Sequence, residues 1–353
     1  MKILVIQQKM IGDVLASSIL FEALRQKYPQ AQLHYIINEH TYPVVENNPF
    51  IDRCIFFTKT EENSKKALFK FVKNIQSQHY DIVIDVYSKF SSNLITLFSR
   101  SKIKISQYKS YSAYLYTHPF KNKKTANTNA GLAIENRLQL LEPISKELSK
   151  TLIKPKIYLT PIEIETSKQN LLKANINLEK PLFMISVLGS DMTKTYPLLH
   201  MAKLIDAIML KTQGQILFNY IPKQHTAAKA IFNFCKAETK PYIYFNVFGK
   251  SLREFLAITK HCTALIGNEG GAVNMAKALE IPTFTIFSPW IKKESWSMFE
   301  NNSTNVSIHL KDVKPELFEE KSTKTLKADA LNLYENFSPD LIIPELNNYL
   351  EQF

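Results

Sequence analysis

Three short loops contain the residues of this sequence that are best suited to bind a ligand or take part in catalysis. The first contains Gly12 and Asp13, the second spans residues 188–197, and the third spans residues 267–274. Each loop follows a short apolar, β-branched run and precedes a segment with the apolar spacing of a helix. In open α/β sheets, ligands bind at the carboxyl ends of the strands, where such loops lie. The sequence therefore predicts binding sites at these loops.

Glycine is scarce in this chain and is concentrated in the three loops. The 353 residues include 8 glycines. Five of them occur in the loops: Gly12, Gly189, Gly267, Gly270 and Gly271. Glycine allows tight turns and lets the backbone approach a ligand closely. The pattern indicates that these loops need backbone freedom.

Asp13 lies at the predicted start of the first helix, where unpaired backbone N–H groups stabilise a negative charge. One interpretation is a helix cap with no further role. The other is a functional carboxylate at the sheet edge where ligands bind. The residues alone leave both interpretations open.

The second loop combines two hydroxyl side chains with a lysine. Ser190, Thr193 and Lys194 follow Gly189, and Pro197 marks the predicted start of the next helix. Hydroxyls, free amides at a helix N-terminus and an ammonium group together suit a phosphate or a diphosphate. A polar connection between domains is the alternative interpretation.

The third loop places paired glycines at a strand-to-helix turn. Glu269 precedes Gly270 and Gly271, and Asn274 follows about one helical turn later. The positive end of the helix would point at whatever binds there. The loop lacks the Gly-Lys-Ser/Thr of a Walker motif and the glycine spacing of a dinucleotide-binding fingerprint, which argues against kinase-like and dehydrogenase-like functions.

The chain is basic, with 44 Lys and Arg against 32 Asp and Glu and a formal net charge of +12. This favours anionic partners. Only five of the basic residues are Arg, whose forked side chain reads bases and clamps phosphates, so nucleic-acid binding is not predicted. Between Asp85 and Glu135 there is no acidic residue, and Lys102, Lys104 and Lys109 are candidates there for binding an anionic substrate. A solvated lysine-rich loop is the alternative.

The cysteines and carboxylates give no metal-binding pattern. Three widely spaced cysteines fit neither a disulfide framework nor a zinc site, and no Asp-x-Asp motif occurs. The sequence therefore predicts no metal and no cofactor. The apolar run at the N-terminus stops before Gln7, well short of a signal peptide or membrane span, so we expect a cytoplasmic protein.

Strands and helices alternate through two parts of the chain, which indicates an α/β fold with parallel sheets. We predict an N-terminal domain at residues 1–155, a linker at 156–180 and a C-terminal domain at 181–335. A helix at 336–353, capped by Ser338, is expected to pack across the domain junction. The loops of the two lobes are expected to face each other across a cleft.

In order and spacing, the three loops resemble those of glycosyltransferase family 9, the heptosyltransferases that build the inner core of lipopolysaccharide from ADP-heptose. Residues 3–24 look like the opening strand and helix of the family. Lys194-Thr195-Tyr196-Pro197 looks like its Lys-Arg-Trp-Pro element, and residues 268–274 are similar to its Asn-Asp-Thr-Gly-x-x-His element.

The resemblance implies a GT-B fold of two Rossmann-like lobes and a metal-independent sugar transfer with inversion at the anomeric carbon. Asp13 would be the catalytic base, and Lys194 would face the diphosphate of the donor. The residues implied to bind the nucleotide-sugar donor are Gly189, Ser190, Thr193, Glu269, Gly270, Gly271 and Asn274. Gly12, Lys102, Lys104 and Lys109 would bind an anionic glycolipid acceptor, with peripheral contact at the inner face of the inner membrane.

The third loop departs from the family pattern. Glu269, Gly270 and Asn274 stand where the family usually has Asp, Thr and His. These differences change the groups near the donor's sugar and phosphates, so two alternatives stay open. One is a catalytically inert protein of the same fold that binds a sugar nucleotide or a glycan. The other is a sugar-nucleotide epimerase.

Overall fold

The computed structural model describes all 353 residues, and the chain divides into two compact units. The N-terminal unit comprises Met1–Tyr158 and Glu294–Met298, and the C-terminal unit comprises Leu159–Lys293 and Phe299–Phe353. Each unit is built on one parallel sheet covered by helices. The predicted α/β architecture of two Rossmann-like lobes is therefore confirmed.

The N-terminal sheet contains six strands. They are β1 (Lys2–Ile6), β2 (Gln32–Ile37), β3 (Arg53–Phe56), β4 (Ile82–Asp85), β5 (Ile103–Gln107) and β6 (His118–Phe120). Their order is β3-β2-β1-β4-β5-β6, and every pair is parallel. The chain runs outward from β1 to β3 and then restarts beside β1. This reversal creates a switch point between β1 and β4, where open α/β sheets bind ligands.

The first six helices belong to this unit. They are α1 (Ile11–Ser17), α2 (Ile19–Lys27), α3 (Lys59–Asn63), α4 (Lys65–Gln76), α5 (Phe90–Phe98) and α6 (Leu132–Leu138). Val72 of α4 and Ile95 of α5 pack in one buried cluster with Val83 of β4, so these two helices cover the same face of the sheet. The four residues 3–6 of β1 are fully buried, as expected for an apolar central strand.

The C-terminal sheet contains five strands. They are β7 (Leu182–Ser186), β8 (Gln215–Asn219), β9 (Ala264–Asn268), β10 (Thr283–Ile286) and β11 (Asn305–Ile308). Their order is β11-β10-β9-β7-β8, again with every pair parallel. The switch point of this sheet lies between β7 and β9. The second and third loops follow these two strands directly.

The remaining helices follow in chain order. They are α7 (Pro161–Lys173), α8 (Leu198–Thr212), α9 (His225–Phe234), α10 (Leu252–Thr259), α11 (Gly271–Ala278), α12 (Lys293–Trp296), α13 (Leu310–Val313), α14 (Thr323–Ala328), α15 (Ala330–Glu335) and α16 (Pro339–Leu350). Short 3-10 turns complete the fold. No helix has the length and apolar character needed to cross a membrane.

The linker predicted at 156–180 is wrong, because most of it is helix α7 of the C-terminal unit. Thr160 and Glu163 form a capping box, in which the Thr160 hydroxyl accepts from the Glu163 amide at 3.2 Å and the Glu163 carboxylate accepts from the Thr160 amide at 2.7 Å. Pro161 occupies the first turn, where its missing N–H costs nothing. Pro161 therefore starts a helix and does not mark a linker.

The C-terminal helix α16, predicted to pack across the domain junction, is part of the C-terminal unit and packs against its core. Its residues Ile342, Leu346 and Leu350 are buried in one cluster with Ile205 of α8 and Phe183 of β7. The cause is its apolar stripe at helical spacing, which is covered by the sheet and helix of the same unit.

Four strand assignments also change. The apolar run at residues 242–245, which has the pattern of a short strand, forms only a single parallel bridge between Ile216 and Ile243. Strands β5, β6 and β11 were not predicted. Lys104 interrupts the apolar pattern of β5 and Pro119 that of β6, so pairing with a neighbouring strand decides their conformation.

Candidate active site

Asp13 forms an ion pair with Arg137 at the switch point of the N-terminal sheet. Asp13 is the third residue of α1, and its Oδ1 accepts a hydrogen bond from Nη2 of Arg137 at 2.7 Å. Its side chain does not cap the helix. The predicted alternative of a simple helix cap is therefore wrong.

Arg137 is held by three hydrogen bonds. Besides the bond to Asp13, its Nη1 donates to the Ala133 carbonyl at 2.7 Å and its Nε donates to the Ser17 hydroxyl at 2.9 Å. The Arg137 side chain is 9% exposed, whereas that of Asp13 is 25% exposed. Oδ2 of Asp13 accepts no hydrogen bond within the chain. The guanidinium thus fixes one oxygen and leaves the other reachable.

A pocket of about 650 Å³ opens around Asp13, which is within the usual range for a small-ligand site. Its charged and polar lining consists of Gln7, Lys9, Asp13, Lys89, Gln107, Asn122, Lys123, Asn136, Arg137 and Ser295, and its aromatic side chains are Tyr87 and Trp296. Basic groups outnumber acidic ones, so the pocket suits a polar, anionic ligand.

Two of the pocket's lysines are neutralised by carboxylates. Lys9 pairs with Glu62 at 2.8 Å, and Lys123 pairs with Glu135 at 3.1 Å. Lys89 is exposed and forms no such pair. Lys89 is therefore the pocket cation with the most freedom to meet a negative charge on a ligand.

Asp85, at the end of β4, anchors the loop that carries Tyr87 and Lys89 into the pocket. The fully buried Asp85 carboxylate accepts from the Ser88 amide at 2.7 Å and from the Tyr116 hydroxyl at 2.6 Å. Burial raises the pKa of Asp85, and these hydrogen bonds oppose the rise. The Lys109 ammonium donates to the Ser88 carbonyl of the same loop.

At the switch point of the C-terminal sheet, Lys194 faces Glu269. The Lys194 Nζ lies 3.4 Å from Oε1 of Glu269 and 5.4 Å from the centre of the Trp290 ring. Oε1 of Glu269 is buried and receives no well-directed hydrogen bond. Burial raises the pKa of Glu269, and the neighbouring ammonium opposes that rise. Lys194 and Glu269 therefore attract each other without forming a good hydrogen bond.

The hydroxyls of the second loop are engaged by Asp191. Oδ1 of Asp191 accepts from the Thr193 hydroxyl at 2.7 Å and from the Thr193 amide at 2.9 Å, and Oδ2 accepts from Ser190 at 3.2 Å. The hydrogen bond from Thr193 is the main reason that the pKa of Asp191 is lowered. Both hydroxyl protons are already donated to Asp191, so these hydroxyls could only accept hydrogen bonds from a ligand. We therefore do not assign Ser190 and Thr193 to an anion.

Gly189 shapes the second loop by allowing a close backbone contact. A Cβ at this position would lie 2.2 Å from the Lys194 carbonyl oxygen, so any side chain would displace Lys194. The Gly189 amide also donates to the Thr195 hydroxyl at 3.1 Å. The need for glycine is thus structural, and it controls where Lys194 lies.

The third loop leaves the N-terminus of α11 uncapped. Gly270 precedes α11 with φ of 150°, a conformation that favours glycine, and a Cβ there would meet nothing within 4 Å. Gly271 is the first residue of the helix, and the side-chain amide of Asn274 makes no hydrogen bond within the chain. Asn268 ties this loop to the second one, since its Oδ1 accepts from the Tyr196 amide at 2.7 Å.

The three candidate acceptor lysines lie outside the Asp13 pocket. Lys102 precedes β5 and therefore sits at the amino edge of the sheet, opposite the edge that carries Asp13. Lys104, within β5, donates to the Leu97 carbonyl at 3.3 Å. Lys109 is used by the Ser88 carbonyl. Of the predicted acceptor residues, only Gly12, which directly precedes Asp13 in α1, is beside the pocket.

Arg137, Trp296 and Trp290 were not predicted as site residues. The first two come from segments far along the chain that only the fold brings to Asp13. The rarity of arginine was a signal for Arg137, because a chain with five arginines among 353 residues is expected to use each of them for a specific contact. No group of three or more His, Cys, Asp or Glu side chains is arranged to hold a metal ion.

The chain is similar to known proteins of one family. The family model described as glycosyltransferase family 9 (heptosyltransferase) matches residues 68–327. Lipopolysaccharide heptosyltransferase 1 of Campylobacter coli is 22% identical over 302 residues, covering 81% of this chain and 84% of that protein.

Two solved structures share the fold. Escherichia coli ADP-heptose lps heptosyltransferase II gives a TM-score of 0.72 at 19% identity, covering 100% of this chain and 99% of that one. A glycosyl transferase family 9 protein from Veillonella parvula gives 0.79 at 17% identity, covering 100% and 98%. The fold is thus the predicted GT-B type, and with a family match over more than half of its length the chain belongs to glycosyltransferase family 9, the heptosyltransferases.

Proposed function

We propose that this glycosyltransferase moves a heptose or related sugar from an ADP-linked donor to a lipopolysaccharide core or similar anionic glycan, without a metal and with inversion. The observation that carries the proposal is the Asp13 carboxylate, which one guanidinium holds in a basic pocket with Oδ2 unbonded. Family membership supplies the reaction class. The name of the Escherichia coli relative, which includes ADP-heptose, supports the donor.

The proposed transfer forms one bond to the anomeric carbon and breaks another. A hydroxyl oxygen of the acceptor attacks the anomeric carbon and forms the new glycosidic bond, while the bond from that carbon to the diphosphate oxygen breaks. The hydroxyl proton passes to Oδ2 of Asp13 as a general base. The electron pair of the broken bond leaves with the nucleoside diphosphate.

The C-terminal unit would bind the donor at its own switch point. Lys194 would turn from Glu269 to the diphosphate and offset its growing charge, and the free amides before α11 would donate to the same group. Glu269, once released, would accept from a hydroxyl of the sugar or ribose. The incomplete contact between Lys194 and Glu269 supports this exchange, because neither group loses a well-formed hydrogen bond.

The acceptor would bind in the Asp13 pocket. Lys89 and the amides of Asn122 and Asn136 would meet its negative and hydroxyl groups, and Tyr87 and Trp296 offer flat faces to sugar rings. These residues replace Lys102, Lys104 and Lys109 as the proposed acceptor contacts.

The direct test is a transfer assay with ADP-heptose and a lipopolysaccharide core acceptor, in which ADP release is measured and the anomeric configuration of the product is read by NMR. Acceptor-dependent transfer with inverted configuration would support the proposal. Binding of the donor without transfer would favour an inert binding protein. Conversion of the donor without acceptor would favour an epimerase.

A further inference from the structure

One face of the N-terminal unit displays large apolar side chains to solvent. Phe90 is 74% exposed, Phe69 53%, Leu97 41% and Phe98 40%. Phe90 and Leu97 lie seven residues apart on the same side of α5, and the ring of Phe98 meets that of Phe69 on α4 edge to face at 6.5 Å. We call these four residues the α4–α5 patch.

Basic residues surround the α4–α5 patch without any acidic partner. On α4 the basic residues Lys65, Lys66, Lys70 and Lys73 are all exposed. The Lys73 ammonium lies 5.0 Å from the centre of the Phe69 ring. Residues 63–80 and 86–134, which include both helices and their flanks, contain no Asp or Glu. The surface therefore combines an apolar centre with an uncompensated cationic border.

This combination matches the interface of an anionic phospholipid bilayer. Aromatic and aliphatic side chains enter the boundary between headgroups and acyl chains, and lysine stems extend along it with their ammonium groups among the phosphates. A group of large exposed apolar side chains on a protein surface indicates a site of interaction. Here the charge complementarity favours negatively charged lipid over a neutral surface.

Two other partners fit the α4–α5 patch less well. A second copy of the chain in a two-fold interface would place these lysines against themselves, which like charges oppose. Nucleic acid is read and clamped mainly by arginine forks, and the patch border contains a single one, Arg100.

We propose that the α4–α5 patch docks this enzyme on an anionic membrane surface. The patch continues into the site, because Phe90 directly follows Lys89, which lines the Asp13 pocket. Docking would therefore bring the pocket next to lipid-linked glycans. The inference rests on the proposed function for the lipid-linked acceptor, whereas the affinity for anionic lipid follows from the patch alone.

The test is co-sedimentation of the full chain with phosphatidylcholine vesicles that contain or lack phosphatidylglycerol. We expect binding only with phosphatidylglycerol, and weaker binding at high salt. Phe90→Ser with Leu97→Ser, and separately Lys66→Glu with Lys70→Glu, should each reduce the bound fraction by more than about tenfold. All four positions are exposed, so the fold should persist, which circular dichroism would verify.

The matched control is Lys168→Glu with Lys324→Glu. Both lysines are exposed on the C-terminal unit, and the change in net charge is the same as for the α4 pair. Binding should fall less than about twofold. If the control lost as much vesicle binding as the patch variants, net charge alone would explain the effect and the proposal would be overturned. So would absence of vesicle binding, or a patch-dependent dimer or oligonucleotide complex in its place.

Vesicle binding is measured without donor or acceptor, so its outcome is independent of the transfer reaction. Transfer to a lipid-free acceptor oligosaccharide should be unchanged in the patch variants. If vesicles bind but no transfer occurs, the proposed function fails and the docking surface stands. If transfer occurs but vesicles do not bind, the reverse holds.

Discussion

The Arg137 guanidinium donates to Oδ1 of Asp13 at 2.7 Å, and Oδ2 of the same carboxylate has no partner in the chain. Arg137 is itself fixed by the Ala133 carbonyl and the Ser17 hydroxyl. Arg137 therefore fixes the orientation of the carboxylate through Oδ1 and leaves Oδ2 available to accept a proton, as a general base requires.

Replacing the carboxylate by its amide tests the base directly. Asp13→Asn retains an oxygen that can accept from Arg137 but cannot take up a proton. We expect kcat for sugar transfer to fall by about 10²–10⁴-fold, with donor affinity in calorimetry unchanged. Glu22→Gln, which removes a carboxylate on the neighbouring helix α2, is the control and should keep full activity. An Asp13→Asn enzyme with wild-type kcat would show that the base lies elsewhere.

Arg137→Met tests the guanidinium as a positioning group. Without it the carboxylate can rotate, so kcat should fall by about 10–100-fold while the KM for the donor changes little. Arg137→Lys should recover part of this loss. Arg25→Met breaks another 2.7 Å ion pair of the same unit, with Asp52, and serves as the control. If Arg137→Met lowered thermal stability only, with kcat of the folded protein intact, the positioning role would be wrong.

Two glycine substitutions distinguish a structural role of glycine from close approach of a ligand in the C-terminal unit. Gly189→Ala forces a Cβ against the Lys194 carbonyl, so the free energy of unfolding should fall by about 1–3 kcal/mol and nucleotide affinity should fall with it.

Gly271→Ala is the comparison, because the nearest atom to its new Cβ, Met275 Cε, is 3.9 Å away. Its unfolding free energy should change by less than about 0.5 kcal/mol. A loss of nucleotide affinity at unchanged stability would then report close approach of the ligand to this backbone. Equal destabilisation by both substitutions would contradict the structural role given to Gly189.

The ion pair between Glu163 of α7 and Arg253 of α10 predicts acid sensitivity of the C-terminal unit. The carboxylate accepts from Nε at 2.6 Å and from Nη2 at 2.7 Å, and this contact lowers the pKa of Glu163 from 4.5 to about 2. Because the folded pKa is depressed, the stabilisation is present above about pH 4.5 and is lost as pH falls towards 2.

Urea unfolding of the wild type and of Glu163→Gln should therefore differ by about 1–2 kcal/mol near pH 7, with allowance for partial solvent exposure. The difference should shrink towards zero near pH 2. Glu165→Gln, an exposed carboxylate of the same helix, should show no such pH dependence. A constant difference across this range would mean that the carboxylate charge does not stabilise the unit.

Local patterns in the chain predicted the strands and helices that flank the three loops. Apolar β-branched runs such as residues 3–6 form central strands because both faces are covered. Strands whose pattern is broken, such as β6 with Pro119, escaped prediction because their pairing depends on a neighbour supplied by the fold. The capping box of Thr160 and Glu163 was present in the sequence and was not used when residues 156–180 were predicted as a linker.

The α/β class, the three strand-end loops and the family pattern that carries Asp13 and Lys194 could be predicted from the amino-acid sequence, because short-range periodicity and glycine placement encode them. Only the folded chain shows that Arg137, 124 positions from Asp13, holds its carboxylate. Only the folded chain shows that Lys102 lies at the opposite edge of the sheet from that carboxylate. Strand direction and side-chain packing set such relationships, and both arise from contacts between residues distant in the chain.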